Sequence, residues 1–197
     1  QHTLHSNDYR SLLMRDDKLD EFYLQGSSQW DGLTHIGNPL VGGFYNGVRP
    51  EQLSLDAQTR NGIEHVAEHA VATRGVLLDL PRYFGATRRD WDPNNSDAVT
   101  ADELAGCAAH HAVDLKPGDV LLIRFGWVEA LLHETDQTER NRWFVDASFS
   151  GLSGDQAMWE FLWDHQVAAA AGDNPTLERS PMAKGDNLHQ ACLLYTS

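Results

Sequence analysis

Val76-Leu77-Leu78-Asp79-Leu80 is a short apolar run, bounded by Gly75 before it and Pro81 after it, and its reading decides the fold class. An unbroken Val/Leu run of this length suits a strand buried on both faces, as in a parallel sheet. Proline ends the pairing, because it has no N–H to donate. Upstream, Leu53 to Thr73 reads as a helix, with Ile63, Val66, Ala67, Ala70 and Val71 at the i, i+3, i+4, i+7 and i+8 positions of one face. Downstream, residues 82–99 are charged, contain Pro93, Asn94 and Asn95, and read as a surface loop. Thr100 and Glu103 then make a capping box that starts a helix running to about His111. Lys116-Pro117-Gly118-Asp119 is turn chemistry, and Val120-Leu121-Leu122-Ile123 is a second strand of the same character. Two such strands separated by a helix predict an α/β fold, a mixed sheet with flanking helices.

The flanking segments are less regular. Residues 129–150 form a polar insertion carrying Trp143, Phe144 and Phe149, and Ser153 with Gln156 repeats the capping-box spacing ahead of Met158, Phe161 and Leu162. A third apolar run, Val167 to Ala171, ends at Gly172-Asp173-Asn174-Pro175. Gln1 to Tyr23 is a polar lead-in whose apolar cluster is Leu12, Leu13 and Met14. Ile36 to Val48 is glycine-rich irregular backbone with Phe44 and Tyr45 read as exposed aromatics, the kind of loop that lines pockets.

A chain of 197 residues fits one domain with its own core. The net charge of −14 argues against nucleic acid or an anionic membrane as partner and leaves a small molecule or another protein. No apolar run reaches the ~18 residues that span a bilayer, so the expected location is the cytoplasm. Cys107 and Cys192 make neither a disulfide framework nor a zinc spacing. The domain is expected to end near Gln190 and to be incomplete at both ends, with residues 191–197 a non-native tail resembling a translated sequencing adapter.

Several polar residues carry candidate chemistry. His65-Val66-Ala67-Glu68-His69 fits the H-x-x-E-H spacing of a zinc peptidase, but both imidazoles fall opposite the apolar stripe, which makes that activity a minor alternative. His110 and His111 close a helix and favour its C-terminal dipole. Asp79 and Asp173 each follow a strand, a place where α/β sheets put sites and where an Asp also caps a neighbouring loop. The denser chemistry is in Gln25-Gly26-Ser27-Ser28-Gln29-Trp30-Asp31-Gly32-Leu33-Thr34-His35. Its glycines and serines disfavour regular helix, and it sets a carboxylate four residues from an imidazole, groups that bind metal or move protons.

This stretch resembles the H-x-G-T-H-x-D-x-P-x-H hallmark of the metal-dependent cyclase family, also called kynurenine formamidase-like or isatin hydrolase-like. Asp31 and His35 match; Gln25 and Gln29 stand where the pattern has two histidines, Ser27-Ser28 where it has Gly-Thr, and Leu33 where it has Pro. Further blocks in the family's order are Phe44-Tyr45-Asn46-Gly47, Arg74 to Asp79, Lys116 to Arg124, Gly126-Trp127, Gly151-Leu152-Ser153 and Gly172 to Pro175, so the resemblance covers nearly all of Gln25 to Gln190. It implies a swivelling β/β/α fold, assembly as a homodimer or larger homo-oligomer, and hydrolysis of small linear or cyclic amides with a divalent metal, zinc or manganese. It further implies that Asp31 and His189 are metal ligands, that a Glu partnering His189 lies beyond Gln190, and that His35 is the acid/base residue. Gln25 and Gln29 would be neutral oxygen ligands that shift the preference towards harder ions. Trp30, Phe44 and Tyr45 would contact the substrate.

Overall fold

The computed structural model describes residues 1–6, 13–39, 42–55, 60–87, 89–183 and 187–195, without the side chains of 193–195. Leu12, part of the expected 53–73 helix and the last two residues of the expected tail lie outside them. The fold is mixed α/β, as the two apolar runs predict. Its residues cluster in two compact units, Gln1–Val71 with His189–Ser197, and Ala72–Leu188.

The first unit is built on an antiparallel sheet, not the polar lead-in expected from its composition. Strand β1 (His2–Ser6) pairs with β2 (Leu13–Leu19), placing His5 opposite Asp16 and His2 opposite Leu19. Strand β2 also pairs with β3 (Phe22–Tyr23) through a tight turn at Asp20 and Glu21, and with β4 (Ile36–Gly37). Gly37 is required by close packing, because a Cβ there would lie 2.9 Å from the Gly43 carbonyl oxygen and from the Phe44 ring. Phe44 is accordingly core, 2 % exposed, with the Arg15 guanidinium over its ring; the expectation of an exposed aromatic fails there. Helix α1 spans only Ile63–His69, and none of its residues is buried. The apolar stripe read into residues 53–73 is therefore not a core face. Gly62 starts the helix late, and Ala70, at φ +56°, stops it early.

The second unit holds the parallel sheet. Strand β5 (Gly75–Asp79) pairs in parallel with β7 (Val120–Arg124), and β7 with β9 (Ala169–Gly172), so that Val76, Leu121 and Ala170 lie in register. Strand β6 (Ala98–Val99) pairs in parallel with β8 (Gly151–Leu152). Burial on both faces of the runs is not what the structure shows. Val76, Leu78, Leu121 and Ile123 are buried on one face, whereas Leu77 and Leu122 are 57 % and 42 % exposed on the other. Among the described residues the sheet is covered on one side only.

Helix α2 (Leu80–Thr87) occupies part of the region expected to be loop. Pro81 begins the helix as well as ending the strand, since its fixed φ suits the first turn and the Asp79 carboxylate accepts the backbone N–H of Arg82. Phe84 from this helix packs against Trp91, under the Arg89 guanidinium. Helix α3 (Ala101–His110) has the predicted capping box, with Thr100 accepting from the Glu103 N–H and Glu103 accepting from the Thr100 N–H. Thr100→Ala is expected to cost about 1 kcal/mol, read as a lower urea midpoint at unchanged slope; an unchanged midpoint would show that the cap contributes nothing.

The polar insertion forms two helices, α4 (Trp127–His133) and α5 (Gln137–Asp146), whose Trp127, Trp143 and Phe144 cluster with Phe149. Helix α6 (Gln156–Asp164) is capped by Asp155, which accepts from the Met158 N–H, not by Ser153 as the spacing suggested. Asp173 takes the structural role, its carboxylate accepting the backbone N–H groups of Phe125 and Gly126. Asp79 is likewise engaged by Arg124 at 2.8 Å. Helix α7 (Leu188–Tyr195) closes the described chain. Among the described residues, no helix is long and apolar enough to cross a membrane.

Candidate functional site

Sheet register in the first unit assembles the site. The Arg15 N–H donates to the His35 carbonyl at 3.0 Å, which fastens the loop before β4 to the middle of β2. Side chains alternate along a strand, so Arg15 lies over Phe44 while its neighbour Asp16 turns to the His35 ring. His35 Nδ1 is 2.8 Å from Asp16 Oδ1 and 3.3 Å from the Arg15 carbonyl oxygen. Both neighbours only accept hydrogen bonds, so in the neutral ring Nδ1 carries the proton and Nε2 keeps its lone pair. That lone pair is on the side of Asp31, with Nε2 4.0 Å from Oδ1. His189, from α7, brings Nε2 to 3.7 Å from the other Asp31 oxygen.

The charges reinforce this arrangement. Burial disfavours the charged form of His35, but the hydrogen bond to Asp16 and the charges of Asp31 and Asp16 outweigh it and raise its pKa above the usual value. Burial likewise works against the Asp31 carboxylate, but its contact with His189 and the charges of His35 and His189 prevail, so its pKa lies below the usual value. Asp31 stays ionised at neutral pH beside an imidazole that readily accepts a proton.

Gln25 and Gln29 complete the rim, both exposed. Gln25 Nε2 lies 2.9 Å from Asp16 Oδ1, and Gln29 Nε2 lies 3.1 Å from Asp31 Oδ1 and 2.5 Å from Gln25 Oε1. Trp30, next in sequence, is 52 % exposed and presents a free apolar face. Tyr45 sits in the turn Tyr45–Gly47, its carbonyl accepting from Asn61. Phe44, at 2 % exposure, leaves no surface for a ligand. The structure thus brings Asp31, His35, His189, Gln25 and Gln29 together within the first unit. His65 and His69 do not join them; His65 is more than half exposed, and His69 Nδ1 bonds back to the His65 carbonyl within α1.

The residue that sequence reading missed is Asp16. Its signal was faint, an Asp-Asp pair inside a segment too polar to suggest a strand. A cavity of about 550 Å³ in the second unit is lined by Arg74, Asp79, Arg82, His111 and Lys116. Arg74 there is paired with Asp119 and Asp79 with Arg124, and none of Asp31, His35, His189, Gln25 and Gln29 lines it.

The Cyclase family model matches residues 5–179. The chain belongs to the cyclase family. A crystal structure described as that of a novel cyclase is similar at TM-score 0.74 and 28% sequence identity, over 98% of this chain. This chain spans 64% of that cyclase's length. No curated protein matches significantly.

A divalent ion, which the family resemblance implies, does not fit the donors of this cyclase-family site as they stand. Carboxylates at neutral pH only accept, so the amide ends that face Asp16 and Asp31 are NH₂ groups, and an NH₂ group is no ligand for a cation. Among the described residues, no three His, Cys, Asp or Glu side chains gather in a metal-holding arrangement.

Proposed function

We propose that the protein is a hydrolase that cleaves the C–N bond of a small linear or cyclic amide, of formamide, lactam or imide type, with His35 as the proton carrier. The observation that carries this reading is the placement of His35, whose Nδ1 lies against two acceptors and whose Nε2 faces Asp31 across 4.0 Å. A gap of that size is too long for a direct hydrogen bond and suits a bridging water. Nε2 takes a proton from that water as its oxygen bonds to the amide carbonyl carbon. The proton then passes to the leaving nitrogen as the C–N bond breaks, giving a carboxylic acid and an amine, or one ring-opened product. Asp16 holds the ring in place throughout, and the Asp31 charge stabilises the imidazolium that forms between the two transfers. Trp30 offers a stacking face for an aromatic or cyclic substrate.

A second reading, a small-molecule-binding protein of the same fold without turnover, is favoured by the way Gln25 and Gln29 satisfy both carboxylates. The two separate in one assay of the whole protein on formylkynurenine, isatin and hydantoins. Saturable hydrolysis of any of them supports the enzyme. Saturable binding without product formation would replace it with the binding protein.

A further inference from the structure

Five side chains in the first unit form a ring that direct contacts link on every side but the gap between His35 and Asp31. Asp16 accepts from Gln25, Gln25 accepts from Gln29, Gln29 also donates to Asp31, and His35 stands between Asp31 and Asp16. The direction of each bond follows from the two carboxylates, which have no hydrogen to give. Gln25 must turn its NH₂ to Asp16, which leaves its oxygen to Gln29, and Gln29 must turn its NH₂ to Asp31. Both Asp31 oxygens already face a donor, Oδ1 the Gln29 amide and Oδ2 the His189 ring.

The amides are exposed, so each bond competes with water and adds little strength. What decides the cation chemistry is donor type. A glutamine presents one neutral, hard oxygen, and the Gln25 oxygen is taken by Gln29. Divalent ions of the zinc class want several nitrogen, sulfur or anionic oxygen ligands converging on one point. We infer that the ring replaces a divalent ion at this site. The amide N–H groups set their positive ends against Asp16 and Asp31 on the side where cation ligands would have to stand, so that the site takes up no stoichiometric metal. The inference rests on the same site as the hydrolase reading, but it concerns what binds there and not what is turned over.

The test is titration of Zn²⁺ and of Mn²⁺ into EDTA-treated protein by calorimetry, with metal content before treatment measured by mass spectrometry. Wild type is expected to show no stoichiometric uptake. The pair of substitutions Gln25→His and Gln29→His is expected to create a one-ion site at least about 100-fold tighter, beyond the 10–100-fold that an outer-shell partner is worth. If wild type binds one equivalent of either ion and Asp31→Ala abolishes it, the inference is overturned. Should the double variant fail to fold by circular dichroism, Gln29→His alone carries the comparison, and the wild-type titration decides without either. Turnover keeps the two readings apart. Hydrolysis that EDTA removes and Mn²⁺ restores overturns the inference and leaves the hydrolase, whereas a protein with neither ion nor turnover upholds the inference and removes the hydrolase.

Discussion

Replacing His35 by alanine is expected to lower kcat by about 10²–10⁴-fold, the range that a positioned acid/base group contributes, with KM close to wild type. The split follows from geometry. Nε2 faces the gap beside Asp31 where the water would sit, while the stacking surface for substrate is on Trp30. Truncation removes the proton carrier and leaves the platform. The fold is protected in this variant because the bond that fastens the loop to β2 runs from the Arg15 N–H to the His35 backbone carbonyl, which alanine keeps. A folded variant by circular dichroism therefore accompanies the expected loss, with a melting point lowered at acid pH by the missing contact between His35 and Asp16. Unchanged kcat in a folded variant would remove His35 from the chemistry, and a rise in KM alone would make it a binding residue.

The scaffold of the second unit was legible because its signals are local. The apolar runs at β5 and β7, the turn at Lys116 to Asp119 and the box at Thr100 and Glu103 each depend on residues within a few positions of one another. The start of α2 was hidden because Pro81 serves two roles, ending one element and opening the next. The 53–73 stripe misled for the opposite reason. Periodicity shows that a face is apolar, not that anything packs against it, and here Ile63 stays 46 % exposed. In the site, Asp31, His35 and the two glutamines share one short stretch and were visible together. Asp16 was not, because its proximity to His35 is set by the register of β2 against β4, a long-range pairing that no window of sequence contains.

Asp16 also sets the expected pH dependence. If His35 is the general base, only its neutral form works, and its raised pKa places the acid limb of kcat/KM above the ~6.5 of an unperturbed imidazole. At pH 5 fewer than about one ring in thirty is neutral, so the rate is expected to fall at least ~30-fold below its plateau. The stability linkage has the same origin. Because the folded pKa is the higher one, the stabilisation from His35 is fully present below the unfolded value and is lost as pH rises through the folded one. The protein therefore gives up this contribution in the range where the base becomes active. Asp16→Asn keeps an oxygen near Nδ1 but removes the charge that raises the pKa, so the acid limb is expected to move to lower pH while the plateau falls, since an amide can turn its NH₂ to the ring and favour the wrong tautomer. A limb that stays in place in Asp16→Asn would show that Asp31 alone governs His35. A rate that rises as pH falls would mean that the protonated ring acts first, as an acid on the leaving nitrogen, and that the water between Nε2 and Asp31 is activated by some other group.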